Sequence, residues 1–143
     1  MMKKLDHVSI LVHDIEKALA LFTTVFGLRA WRPGVVSIPE EGIKSVIIPV
    51  GKGNLESIEL LEPTDPESRY AKHLQAHGEG LFHISLLVDD VEAEVKSLRE
   101  KGIVVGDAYV LPPSFPVAAK IAWVDPKSAF GATIEIVEFL PKE

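Results

Sequence analysis

The chain repeats itself. Residues 5–16 read LDHVSILVHDIE and residues 81–92 read LFHISLLVDDVE, and at this offset of 76 seven of the twelve positions are identical. The identities are Leu5/Leu81, His7/His83, Ser9/Ser85, Leu11/Leu87, Val12/Val88, Asp14/Asp90 and Glu16/Glu92. The same offset lays Ile58-Glu59-Leu60-Leu61-Glu62 on Ile134-Glu135-Ile136-Val137-Glu138. Two distant matches in one register mean a duplicated unit of about 75 residues, and a duplicated unit restricts the fold to two copies of one supersecondary module.

Each copy has the same pattern. Residues 5–12 alternate and are rich in Val, Ile and Leu, which predicts a strand. Asp14 can cap a helix whose apolar positions Ile15, Leu19, Phe22 and Phe26 recur at steps of three and four, with Gly27 as the stop. In the second copy Asp90 is the cap, Val91, Val95 and Leu98 the stripe, and Gly102 the stop. Three further strands follow each helix, expected near 29–37, 44–50 and 55–62, then near 103–110, 119–125 and 132–140. Gly, Pro and acidic turns separate them. The expected fold is α+β: two βαβββ modules in tandem, forming a pseudo-two-fold sheet around a metal site. The first module covers 5–62, a linker with a short helix over 67–76 covers 63–80, and the second module covers 81–140. The whole of 1–143 is then one domain, since neither half alone is expected to hold a good core.

Composition narrows the function classes. A chain of 143 residues with 47% hydrophobic and 25% charged residues is an ordinary globular protein. It should bury roughly two-thirds of its unfolded surface without staples. It has no cysteine, which excludes disulfides, thiolate metal sites and cysteine nucleophiles. The formal net charge of −6 offers no basic stripe for nucleic acid. No apolar run approaches the ~18 residues of a membrane span, and the first residues, MMKKLDH, lack the apolar core of a signal peptide. These features predict a cytoplasmic protein that binds neither nucleic acid nor membrane.

The chemistry sits at matched positions. His7 and His83 occupy equivalent places in apolar strands, and Glu59 and Glu135 are each flanked by large aliphatic residues. Singly, a strand histidine is most often a hydrogen-bonded core residue and a strand glutamate a solvent-facing one. A carboxylate among aliphatics is costly to bury unless its charge is compensated. Two His and two Glu related by one repeat operation would converge if the halves pack about a two-fold axis. Imidazole plus carboxylate is a mixed N/O donor set suited to a divalent ion such as Zn2+, Co2+, Ni2+, Mn2+ or Fe2+. Four protein ligands on a six-coordinate ion leave two positions for a substrate. Glu62 and Glu138 are also related by 76. Glu62 precedes Pro63 at a strand end, in a wetter place, which favours the pair Glu59 and Glu135. His13, His73 and His77 have no repeat partner and read as surface residues of loop or linker.

At these residues the sequence resembles the vicinal oxygen chelate superfamily, and within it the methylmalonyl-CoA epimerases, over nearly its whole length. The segments that carry the resemblance are LDHVSILVHDIEKAL, PEEGIKSVIIPVG, IELLEP, HGEGLFHISLLVDDVE, and KIAWVDPKS with GATIEIVE. The resemblance implies that His7, Glu59, His83 and Glu135 are the metal ligands, with Glu59 where some members have Gln, and it selects Glu59 over Glu62. It implies a homodimer. One stretch departs: where members often carry a Gly-Ala-His-Gly-like loop, this chain reads LPPSFPVAA over 111–119, which leaves the acyl group open.

The implied activity is epimerisation of a 2-methylmalonyl-CoA-like thioester. The proton between thioester and carboxylate is removed, and a metal-stabilised enolate is reprotonated on the other face. Glu135 is the expected base on one face. A partner for the other face is expected from the strand after Glu40-Glu41-Gly42, where Ser45 is a poor base and is not assigned the role. Lys120, before the Ile-Ala-Trp strand, could pair with a carboxylate or phosphate of the substrate. The competing expectations are a glyoxalase I-type lactoylglutathione lyase, which uses the same four-ligand site, and a metal-free, antibiotic-sequestering binding protein of the same fold. A ring-cleaving iron dioxygenase, with two His and one Glu, fits less well because Glu59 would be a fourth ligand.

Overall fold

The computed structural model describes residues 1–51 and 56–141. The described residues form eight strands and three α-helices. They are β1 (Lys4–Leu11), α1 (Ile15–Thr24), β2 (Val36–Ile38), β3 (Ile43–Val50), β4 (Glu56–Pro63), α2 (Arg69–His77), β5 (Gly80–Leu87), α3 (Val91–Glu100), β6 (Tyr109–Val110), β7 (Ala119–Val124) and β8 (Thr133–Phe139). The chain divides into two compact units, one of His7–Phe82 and one of Met1–Asp6 with His83–Glu143. This is the α+β class expected from the repeat.

Within the first unit β1 runs parallel to β4, β4 antiparallel to β3, and β3 antiparallel to β2. Within the second, β5 runs parallel to β8, β8 antiparallel to β7, and β7 antiparallel to β6. The duplication extends to individual rungs. His7 faces Ser57 and Ser9 faces Glu59 on the first parallel pair; 76 residues later His83 faces Thr133 and Ser85 faces Glu135.

Both helices that follow the parallel strands start as their sequences dictate. Asp14 Oδ1 accepts the Lys17 amide at 3.1 Å, and Asp90 Oδ1 accepts the Ala93 amide at 3.1 Å. A second acceptor reinforces each start. Glu62 takes the Ile15 amide and Glu138 the Val91 amide, both at 3.0 Å. These are the two glutamates that competed on paper with Glu59 and Glu135, and their place is at a helix N-terminus, where a carboxylate satisfies an orphan N–H and complements the dipole.

Alternation along the strands separates two faces. In the first unit Ile58 and Leu60 of β4, Val46 and Ile48 of β3 and Ile10 of β1 pack under α1, against Ile15, Ala18, Leu19 and Phe22. In the second, Ile134 and Ile136 of β8 with Ala122 and Val124 of β7 pack under α3, against Val91, Val95 and Leu98. The remaining strand positions form the opposite face.

Three expected elements came out differently. The strand expected over 29–37 is only Val36–Ile38, because Pro33 has no N–H to give a ladder and Gly34, at φ +93°, turns the chain. That expected over 103–110 shrinks to Tyr109–Val110. Ahead of it the Val105 carbonyl accepts the Arg99 guanidinium at 2.9 Å, and only a single bridge joins Val105 to Val124. Phe26 lies past the end of α1 and is exposed, set edge-on to Phe22. The linker helix is present over Arg69–His77. Residue 55, the first of one expected strand, lies outside the described residues.

Candidate metal centre

The face turned away from the helices carries the polar residues. Among the described residues, the buried polar or charged side chains are Ser9, Ser45, Glu59, His83, Ser85 and Glu135, and all six stand on these strands. None of their buried side-chain polar atoms lacks a hydrogen-bond partner. A concentration of charge and hydroxyl on one side of otherwise aliphatic strands has a desolvation cost that core packing alone gives no reason to accept.

In the first unit His7 Nε2 lies 3.5 Å from Glu59 Oε1, and both side chains are about nine-tenths buried. The Ser45 hydroxyl donates to Glu59 Oε2 at 2.9 Å. Ser45 stands on β3 at the place from which a second acid or base was expected, and its role in the structure is to hold the carboxylate on the neighbouring strand.

In the second unit His83 Nε2 lies 3.9 Å from Glu135 Oε1, and the Ser85 hydroxyl donates to that same oxygen at 2.8 Å. Trp123, the rung partner of Glu135, sets its indole edge-on to His83 at 89° with centroids 5.0 Å apart, and its Nε1 donates to the Tyr109 hydroxyl at 3.0 Å. The indole walls the imidazole on one side and is itself pinned by the tyrosine. Each unit therefore presents one imidazole and one carboxylate on adjacent parallel strands, close enough to act as a ligand pair. The donors fit a divalent cation: they are nitrogen and carboxylate oxygen, buried, and steadied by neighbouring hydroxyls.

Lys120 is elsewhere. It pairs with Glu138 across β7 and β8, on the helix-bearing face, and its Nζ lies 3.8 Å from Glu92 of α3. Strand alternation sets it on the side of β7 opposite Trp123, away from His83 and Glu135. Near the start of β3, burial pushes the Glu41 carboxyl above the ordinary glutamate range, with Arg69 opposing and Glu40 adding to the shift. His73 and His77 are one helical turn apart on α2, with rings 4.4 Å apart, and His73 rests edge-on against Phe82. The serine partners of the two glutamates were not assigned from sequence. Ser85 could have been found, since it lies at an identical repeat position; Ser45 required the register of β3.

The sequence over residues 6–114 matches the model of the glyoxalase/bleomycin resistance protein/dioxygenase superfamily. The chain is 35% identical over 101 residues to the mitochondrial methylmalonyl-CoA epimerase of Homo sapiens, a match covering 70% of this chain and 54% of that protein. It is 31% identical over 139 residues to the mitochondrial methylmalonyl-CoA epimerase of Dictyostelium discoideum, covering 94% and 78%. The match thus spans about half the length of the human relative. A solved methylmalonyl-CoA epimerase in complex with methylmalonyl-CoA and NH4+ superposes with a TM-score of 0.85 at 26% identity, covering 100% of this chain and 99% of that one. The fold is that of the vicinal oxygen chelate proteins, and the chain belongs to the glyoxalase/bleomycin resistance protein/dioxygenase superfamily and, within it, to the family of the methylmalonyl-CoA epimerases.

Proposed function

We propose that the chain is a metal-dependent isomerase that epimerises a 2-methylmalonyl-CoA-like acyl thioester, with His7, Glu59, His83 and Glu135 as the ligands of one divalent ion. The observation that carries this reading is the pair of buried His–Glu sets, at equal rungs of the two parallel strand pairs. Family membership and the solved relative's complex with methylmalonyl-CoA support the substrate class. We take the chain as one vicinal-oxygen-chelate domain, with modules 5–62 and 81–140 joined by 63–80. We further propose a cytoplasmic homodimer; the absence of cysteine suits a reducing compartment. Among the described residues no helix is long and apolar enough to cross a membrane.

His7, Glu59, His83 and Glu135 would hold a divalent ion, Co2+ foremost and Zn2+, Ni2+ or Mn2+ next, which when bound would supply electrophilic stabilisation of developing negative charge. The rest of the work falls to side chains. Glu135 takes the α-proton from one face, its carboxylate oriented by the Ser85 hydroxyl at 2.8 Å. Glu59, His83 and Glu135 are buried, which strengthens the electrostatic interactions of the site. His7 and His83, each beside a glutamate, keep the donor set in place. Lys120, on the other face of β7 beside Glu92, is kept as the cation for a carboxylate or phosphate of the substrate.

The test is α-proton exchange on methylmalonyl-CoA in D2O followed by NMR. Exchange should disappear with a chelator, return with Co2+, and be absent in a His83→Ala variant that no longer retains metal. Full exchange by metal-free protein would overturn the mechanism. Turnover of a hemithioacetal of glutathione in place of any acyl-CoA would reassign the chemistry to a glyoxalase I-type reaction.

A further inference from the structure

We infer that Ser45 and Ser85 are the positioning residues of Glu59 and Glu135, each fixing the plane of one carboxylate so that it meets an ion in a set orientation. This rests on the metal reading above.

The starting point is a weakness of glutamate as a ligand. Its last torsion is broad and roughly two-fold, so a glutamate anchored only by its backbone sweeps its two oxygens through a wide arc. A ligand that sweeps must be stilled when an ion binds, and that ordering lowers affinity. A hydroxyl bonded to one oxygen removes the freedom in advance. Ser85 does this to Glu135 Oε1 at 2.8 Å, and Ser45 to Glu59 Oε2 at 2.9 Å. The two hydroxyls are themselves held still: Ser85 is fully buried and Ser45 is 1% exposed. Hydrogen bonds from a hydroxyl to a carboxylate are of the charge-assisted kind, short and strong compared with neutral ones.

The two serines are not repeat equivalents of each other. Ser85 is on the parallel neighbour β5, on the same rung as Glu135, and its counterpart Ser9 shares a rung with Glu59. Ser45 comes from the antiparallel neighbour β3, and 76 residues later the chain carries Ile121. Glu135 thus receives a hydroxyl from the parallel side, and Glu59 receives one from the antiparallel side. A duplication that preserved only packing would have no cause to acquire a buried hydroxyl in one half where the other half has isoleucine.

The experiment is a Co2+ titration of the chelator-stripped protein, wild type against Ser45→Ala and Ser85→Ala. It is read as the Kd and as the visible d–d spectrum of the bound Co2+. The expected result is a 10- to 100-fold weaker Kd in each variant, with a changed Co2+ spectrum. In a Glu59→Ala background, Ser45→Ala should cost nothing further, because its effect passes through that carboxylate. Threonine at position 45 should recover much of the affinity by restoring the hydroxyl. Serines that serve only packing would lower the melting temperature of the stripped protein and leave Kd and spectrum at wild-type values, and that result overturns the inference. Wild-type protein that binds no Co2+ overturns the metal reading itself, and this inference with it.

Discussion

Glu138 accepts the backbone N–H of Val91 at 3.0 Å, tying the end of β8 to the first turn of α3. Glu62 makes the same bond to Ile15 at the start of α1. A pair of glutamates three positions from the ligand pair thus serves the fold. Substituting either by Ala should lower stability by about 1 kcal/mol. Urea unfolding should record that loss while the metal content of the purified protein stays unchanged. Loss of metal on Glu138→Ala would return this residue to the candidate ligands.

The ligand glutamates should differ in what they tolerate. Glu59→Gln keeps an oxygen donor and should leave a weakened but measurable metal affinity and exchange rate. Glu135→Gln removes the base and should lower α-proton exchange by about 10²–10⁴-fold. Equal effects of the two substitutions on exchange would remove the distinction between a ligand and a ligand that also moves a proton.

Stripping the metal should destabilise the protein, since two buried carboxylates then lose the cation that offsets their desolvation. With free Co2+ at about a thousand times its Kd, the gain in stability should be about 4 kcal/mol. A melting temperature insensitive to both chelator and Co2+ would contradict the proposed site.

Gly42 should be irreplaceable. It sits at φ +67°, its carbonyl accepts the amides of Thr64 and Asp65, and a Cβ there would fall 2.6 Å from the Asp65 Cβ. The colliding atom is fixed to the backbone and cannot swing away. Gly42→Ala should cost about 1–3 kcal/mol, read from urea unfolding. Asp65→Gly in the same chain should recover the part due to collision and leave the part due to the positive φ.

His73 should make the fold sensitive to mild acid. Burial lowers its pKa, with the His77 charge adding to the effect. The unfolded chain therefore takes a proton before the folded one does. Stability should fall as pH drops below about 6.5, and level off once the folded value is passed. An NMR titration of the His73 ring checks this. A midpoint at or above that of an exposed histidine would contradict it.

The frame of the molecule was legible because duplication prints the same residues twice. His7/His83 and Glu59/Glu135 could be paired from the offset alone, and the structure sets each His beside its Glu on adjacent strands. The helix starts at Asp14 and Asp90 were legible for a local reason: a cap is decided by residues three apart. What failed to show depended on tertiary partners. Ser45 reaches Glu59 through the register of β3, which nothing near Ser45 in sequence specifies. Val105 was expected in a strand, but its carbonyl is taken by Arg99. The place of Lys120 beside Glu92, on the α3 side of β7, depended on a parity along β7 that could not be related to α3 before the strand was placed.

The separation of the strands into a helix-bearing side and a side that carries the donors has a consequence for how such a protein can change. Side chains on one side of a strand barely meet those on the other, so helix contacts and donors are written in alternate letters of the same short segments, the donors sharing their side with buried Leu11, Leu61, Ile121 and Val137. Substitutions at Val46, Ile48, Leu60, Ala122 or Ile136 adjust the grip of a helix and leave the donors where they are. Substitutions one residue away alter the donors with little change in that grip. A shift of one residue in any of these strands exchanges the two scripts at once, so the segments should accept replacement far more readily than insertion or deletion.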